Sequence, residues 1–273
     1  MPNTSTRAAR LAALCCVALA GCRTPVSTPA TPPAPAARTA PRFATGQDVV
    51  AAMRDRYAGK WYSTLTFKQR TSRLLPNATW NTQTWYEALR LPGRLRIDFE
   101  PISGGNGVMY ARDSQYVASN GRIVRGEPGI NDLLLLGFDV YINPPARTNA
   151  LLRRQGFDLN RVYETSFEGR PMIVVGALPG DLHRKQFWID SDRLYFVRLL
   201  EPDPRDTTKT QDIRFVNYER HGDAWVAARV ELYSDGKLVF YEDYSDIRPN
   251  APLDETLFDP SKWKPARHWV SRR

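Results

Sequence analysis

Residues 85–101, WYEALRLPGRLRIDFEP, carry the clearest hydrophobic pattern in the chain. After Pro92-Gly93, Leu95, Ile97 and Phe99 alternate with Arg94, Arg96, Asp98 and Glu100. Alternation with period two predicts a strand with one buried and one wet face. Proline presets the first central position of a tight turn and glycine accepts a positive φ at the second, so the stretch reads as two strands folded about Pro92-Gly93. Upstream, Trp61, Leu65 and Phe67 share one face of another predicted strand, and a further strand starts near Thr79. Downstream, the runs MIVVGAL, KQFWID, LYFVRLL, DIRFVNYER, AWVAARVELY and KLVFYEDY follow one another at short spacing. The turn signals are Asn120-Gly121, Glu168-Gly169, residues 190–193, Gly222-Asp223 and Asp235-Gly236. Hairpins in succession make an antiparallel meander, which needs no crossover helices.

Helical patterns are few. Residues 46–58 predict a helix capped by Thr45, with Asp48 as its capping-box partner and Val49 or Val50, Met53 and Tyr57 on one stripe. Gly59 is placed to end it. Residues 130–156 interrupt the meander. Pro144 and Pro145 suit a first helical turn and Gly156 a stop. Leu133, Leu134, Leu135 and Leu136 are consecutive and so point all round a helix, as in a buried segment or a lid over an apolar face. Residues 247–273 hold Pro and Trp with little periodicity, and read as a wrap over a sheet edge.

The expected architecture is mainly β (α+β): an antiparallel, unclosed β-barrel with covering helices. A half-barrel has an apolar concave side that the chain's own helices fill only in part. Trp61, Leu65, Phe67, Leu95, Ile97 and Phe99 are the candidate wall of such a cavity. An apolar hollow takes lipid tails, because each buried methylene gains and no polar group is left unsatisfied.

Charge and cysteine usage narrow the picture. The 273-residue chain has a formal charge of +9. Five arginines and no acid lie in residues 1–42, so 33 basic and 29 acidic residues remain beyond them. That balance does not suggest a nucleic-acid footprint, though it permits weak attraction to an anionic membrane. The three cysteines, Cys15, Cys16 and Cys22, all lie near the start, so residues 43–273 hold no disulfide, thiolate nucleophile or cysteine zinc site.

Arg7 and Arg10 precede an apolar run over residues 11–20, too short for an ordinary membrane span and laid out as a secretory signal. It ends in Leu19-Ala20-Gly21-Cys22, which resembles the bacterial lipobox. The resemblance implies a signal peptide over residues 1–21 and lipidation of Cys22. Arg23 at the next position points to the outer membrane, with the domain facing the periplasm. Residues 22–42 form a Pro/Ala/Thr-rich tether that reaches up to ~60 Å. A β-domain is expected over residues 43–273.

Several short stretches are similar to the LolA/LolB-like superfamily of periplasmic lipid and lipoprotein carriers. Phe67-Lys68-Gln69 looks like the F-x-Q of that superfamily's first strand, and residues 91–97 resemble its R-P-x-x-F-x-W turn and strand. Residues 185–189, KQFWI, are similar to its K-Q-F-x-I hairpin, and residues 256–260, TLFDP, to its closing phenylalanine-to-proline motif. The resemblance spans most of residues 46–263 and implies a lipid or acylated protein as ligand. In the soluble carriers an arginine directly before the turn proline latches the lid. Here Leu91 holds that place, and Arg90 points to the opposite face.

No catalytic centre is read from the sequence. His183, His221 and His268 are scattered, and no HExxH, GxSxG, P-loop or GxGxxG is present. No metal ligands or cofactor are expected. Two non-enzymatic readings stand: a carrier or acceptor of acyl chains, and an interaction or sensor module whose cup recognises an envelope protein or a lipid signal.

Overall fold

The computed structural model describes residues 42–266; the expected signal, Cys22, the tether up to residue 41 and His268 lie outside them. Helix α1, Gly46–Arg56, starts as its sequence dictates. Thr45 Oγ1 accepts the Asp48 N–H at 3.2 Å, and Asp48 Oδ2 accepts the Thr45 N–H at 2.9 Å. The two side chains thereby satisfy backbone donors at the start of the helix. Val49, Val50 and Met53 form its buried stripe.

The strands run β1 (Thr64–Leu74), β2 (Trp80–Arg90), β3 (Arg94–Phe99), β4 (Gly107–Ala111), β5 (Ser114–Ser119) and β6 (Arg122–Pro128). Then come helices α2 (Asp132–Gly137) and α3 (Pro145–Arg154), with a 3-10 turn over Asp139–Tyr141 between them. A second run follows: β7 (Val162–Phe167), β8 (Arg170–Val175), β9 (Gln186–Asp190), β10 (Phe196–Asp203), β11 (Asp206–His221), β12 (Ala224–Ser234) and β13 (Lys237–Pro249). All thirteen form one antiparallel sheet, β6-β5-β4-β3-β2-β1-β13-β12-β11-β10-β9-β8-β7. It is two meanders joined where β13 returns to β1. Its free edges, β6 and β7, are consecutive in the chain, so the α2–α3 segment bridges between them. The result is the expected unclosed half-barrel. All five turn signals join neighbouring strands, with positive φ at Asn120-Gly121, Glu168-Gly169 and Asp235-Gly236.

Residues paired across strands share a face. Leu65 and Phe67 on β1, Leu89 on β2 and Leu95 on β3 point to the concave side, against α1, α2 and α3. Trp61 does not share a strand with them. It sits in the turn before β1 and stacks on Tyr141 at 3.8 Å and Tyr62 at 5.1 Å.

The opposite face of β3 is not wet as its alternation predicts. Arg96 and Asp98 are each 1% exposed. The segment after β13 lies over them, covering a face of the sheet rather than an edge. Arg96 bridges Asp98 at 2.8 Å, donates to the Lys264 carbonyl at 2.6 Å and stacks 4.0 Å from the Trp263 ring. Trp263 packs on Met109, Ala111 and Ala118, and its Nε1 donates to the Gly105 carbonyl at 3.1 Å. Gly107 lets the indole approach, since a Cβ there would meet the ring at 2.8 Å. Burial raises the Asp98 carboxyl above its usual range, although the Arg96 guanidinium pulls it back. An alternating strand can thus be buried on both sides when its polar residues pair with each other.

Candidate functional site

The concave face is covered only in part by the helices. The helical segment fills one end of it. Asn131 caps α2 through the N–H groups of Leu133 and Leu134, at 2.9 and 3.0 Å. Leu134, Leu135 and Leu136 then drop into the core while Leu133 stays half-buried. Tyr141 Oη accepts the Phe196 N–H at 2.8 Å. Lys185, from the KQFWI stretch, holds the start of α2 by pairing with Asp132 at 2.5 Å and with Glu201 at 3.0 Å.

The latch that Leu91 does not provide comes from another element. Asp139, between α2 and α3, accepts the Gly93 N–H at 2.9 Å, which ties the helices to the β2–β3 turn. Arg147 of α3 adds an ion pair to Asp113 of the β4–β5 turn at 2.8 Å. Burial raises the Asp139 carboxyl to about 7, against the pull of the Gly93 N–H and Arg147. Arg90 points away from the helices, as its place in the strand requires, and pairs with Glu255 at 3.1 Å.

Beneath this latch lies a cavity of about 50 Å³, lined by Pro92, Tyr110, Ile130, Leu134, Leu135 and Leu151 among others. It is far smaller than the roughly 300–1,000 Å³ of a ligand pocket. Against it lies a polar cleft of about 500 Å³, which shares Pro92, Gly93, Asp113 and Arg147 and adds Arg94, Arg112 and Lys262.

The six candidate wall residues divide. Trp61, Leu65, Phe67 and Leu95 are buried in the packed core beneath the helices, and none of the six lines either hollow. Ile97 and Phe99 are only half-buried. They lie at the end of the concave face away from the helices, with Trp85 on β2, Val108 on β4, and Leu232 and Phe240 on β12 and β13. Trp85 sits 4.7 Å from Phe99 and 6.4 Å from Phe240, ring centre to ring centre. This partly exposed aromatic trough is the open part of the half-barrel.

Sequence reasoning did not find the polar floor of the trough. Gln69 and Thr71 on β1, Glu87 on β2 and Glu242 on β13 lie on the concave side, with the first three at most 6% exposed. The only signal was that each takes an inward position in its strand. The histidines are not brought together: His183 lies in an exposed loop, and His221 ends β11 beside Glu219 at 3.6 Å. Among the described residues no three metal-binding side chains cluster.

No family model and no curated protein matches the sequence. Solved structures do match in shape. A DUF1329 family protein from Desulfovibrio piger superposes with a TM-score of 0.52 at 13% identity, over 80% of this chain and 98% of its own. A putative outer membrane lipoprotein-sorting protein domain from Vibrio parahaemolyticus gives 0.50 at 12% identity, over 79% and 97%. A LolA superfamily protein from Nitrosomonas europaea gives 0.48 at 11% identity, over 79% and 98%. Strand order, helix placement and the first two likenesses agree on the fold, an antiparallel half-barrel left open and covered in part by helices.

Proposed function

We propose that this protein is a non-enzymatic lipoprotein of the bacterial envelope that binds acyl chains, of a lipid or an acylated protein, for carriage or acceptance. The observation that carries this reading is the aromatic trough, where Trp85, Ile97, Phe99, Leu232 and Phe240 keep apolar surface open on a concave face. Apolar surface held half-open in a hollow favours an apolar ligand. The lipoprotein-sorting likeness supports the same reading. Lipidated Cys22 anchors the domain to the outer membrane through the tether, facing the periplasm. Leu133, Leu134, Leu135 and Leu136 serve as a lid: the cavity beneath α2 and α3 is too small for a chain until the helices shift.

The test is lipid analysis of the full chain carrying Cys22→Ala, purified from cells without detergent. Stoichiometric co-purified lipid is expected, and palmitate labelling is expected to vanish from that variant while marking the wild type. An empty protein rules out carriage. The second reading, a module that recognises an envelope protein, draws on the free edge of β6, where Val124 is 54% exposed. A bare edge offers unpaired backbone groups to an extended segment. An empty protein that captures one envelope partner through this edge supports that reading.

A further inference from the structure

Along the concave face, β1 presents Leu65, Phe67, Gln69 and Thr71 in turn. Phe67 stands opposite Glu87 of β2, Gln69 opposite Trp85 of β2 and Tyr244 of β13, and Thr71 opposite Glu242 of β13. Two carboxyl groups therefore flank Gln69 diagonally on the floor of the trough.

Three other buried acids are each paired with an arginine. Asp98 is paired with Arg96 at 2.8 Å, Asp212 with Arg198 at 2.7 Å and Asp190 with Arg170 at 3.2 Å. Among the described residues Glu87 and Glu242 have no such partner. Burial and the Glu242 charge act on Glu87, while burial acts on Glu242 against hydrogen bonds from Tyr244 and Gln69. Arg73, further along the same face, is exposed, lies 5.9 Å from the Phe240 ring centre, and is not among the groups acting on either acid. Both carboxyls are held above their usual range in consequence.

The hydrogen-bond inventory is also unbalanced. Gln69 Nε2 donates to Thr71 Oγ1 at 2.8 Å, and Tyr244 Oη donates to a Glu242 oxygen at 3.0 Å. Gln69 is 0% exposed, yet its Oε1 accepts nothing. A buried acceptor left unmade costs about 1–3 kcal/mol, so it calls for a donor. Two carboxyl groups, which a bound cation draws into their ionised form, and one amide oxygen supply three acceptors along this stretch of the face, and an ammonium group brings three donors and a positive charge. The walls suit the rest of such a ligand, since the rings of Trp85, Phe99 and Phe240 offer apolar surface to a chain and π-faces to a cation.

We propose that Glu87, Gln69 and Glu242 bind the primary ammonium of an amphiphile whose chain lies along Trp85, Phe99 and Phe240. This assignment deepens the acyl-binding reading and rests on it. The test compares octylamine with octanol, the same chain without the charge, by calorimetry at pH 8 on the full chain carrying Cys22→Ala. Octylamine is expected to bind at least tenfold tighter than octanol. In the Glu87→Gln, Glu242→Gln double variant the preference is expected to fall below twofold while octanol binding holds, which also shows that the variant is folded. Equal binding of amine and alcohol to the protein with both acids intact overturns the ammonium site alone and needs no further variant. A preference that survives the double substitution overturns it as well. If neither compound binds, the acyl-chain reading fails and the site fails with it. A hydrophilic lysine peptide that binds as well as octylamine overturns the amphiphile assignment.

Discussion

The Gly93 backbone N–H donates to the Asp139 carboxylate at 2.9 Å, so a β-turn at one end of the half-barrel holds the helical segment that crosses it. The bond replaces a side-chain latch with a main-chain donor, which no substitution at position 91 or 92 removes directly. It also buries a carboxylate, and that has a consequence with pH.

Burial pushes the Asp139 carboxyl up from its ordinary 3.8 to about 7 in the folded protein. A raised carboxyl favours the protonated native state. Its contribution to stability is therefore fully present below the unfolded value and is lost as pH rises from about 4 through 7. Asp139→Asn keeps an oxygen for the Gly93 N–H and carries no charge. It is expected to gain roughly 1–3 kcal/mol at pH 8 and close to nothing at pH 4. Glu87 and Glu242 add slope of the same sign, so the variant flattens the profile only in part. Urea melts at pH 4, 6 and 8 measure this, and a profile with unchanged slope in the variant refutes it.

Trp263 fastens the terminal segment over the outer face of β3 and β4. Trp263→Ala removes the stack on Arg96, the bond to the Gly105 carbonyl and the cover over Met109. The expected cost is about 3–5 kcal/mol. Proteolysis near residue 263 should become faster than in the wild type. A melt within 1 kcal/mol of wild type would show that the segment is dispensable.

Lys185 neutralises two acids that belong to different elements, Asp132 of α2 and Glu201 of β10. In Lys185→Met these carboxylates face each other without a cation. A loss of roughly 1–3 kcal/mol is expected, with partial recovery on adding Asp132→Asn. A double-mutant cycle by chemical denaturation reads the coupling; additive losses would mean that Lys185 does not hold α2.

Phe67 and Phe99 separate packing from binding. Phe67 is 1% exposed beneath the helices, so Phe67→Ala should cost about 3–5 kcal/mol. Phe99 is half-buried beside Trp85 in the trough. Phe99→Ala should cost about 1 kcal/mol and reduce co-purified lipid severalfold. Equal lipid content in wild type and Phe99→Ala would place the chain elsewhere.

Short-range signals in the sequence went far in this protein. Asn120-Gly121 and Asp235-Gly236 made tight turns because only residues tolerant of positive φ fit there, and Thr45 with Asp48 set the start of α1 through three-residue contacts. Hairpin after hairpin then fixed an antiparallel sheet without reference to anything distant. What alternation cannot report is which other element arrives on each face. Arg96 and Asp98 read as a wet face and are buried, because a segment about 160 residues later lies over them. Leu65 and Phe67 read as inward and are, but whether an inward side chain meets a helix or an open trough depends on where α2 and α3 dock. The pairing of β1 with β13 and the meeting of Glu87 and Glu242 likewise exist only once strands more than 150 residues apart close on each other. The sequence by itself determined the local geometry of the sheet and its inward face, since those rest on neighbours within a few residues. Tertiary structure alone decided which part of that face stayed open, because that depends on the packing of segments far apart in the chain.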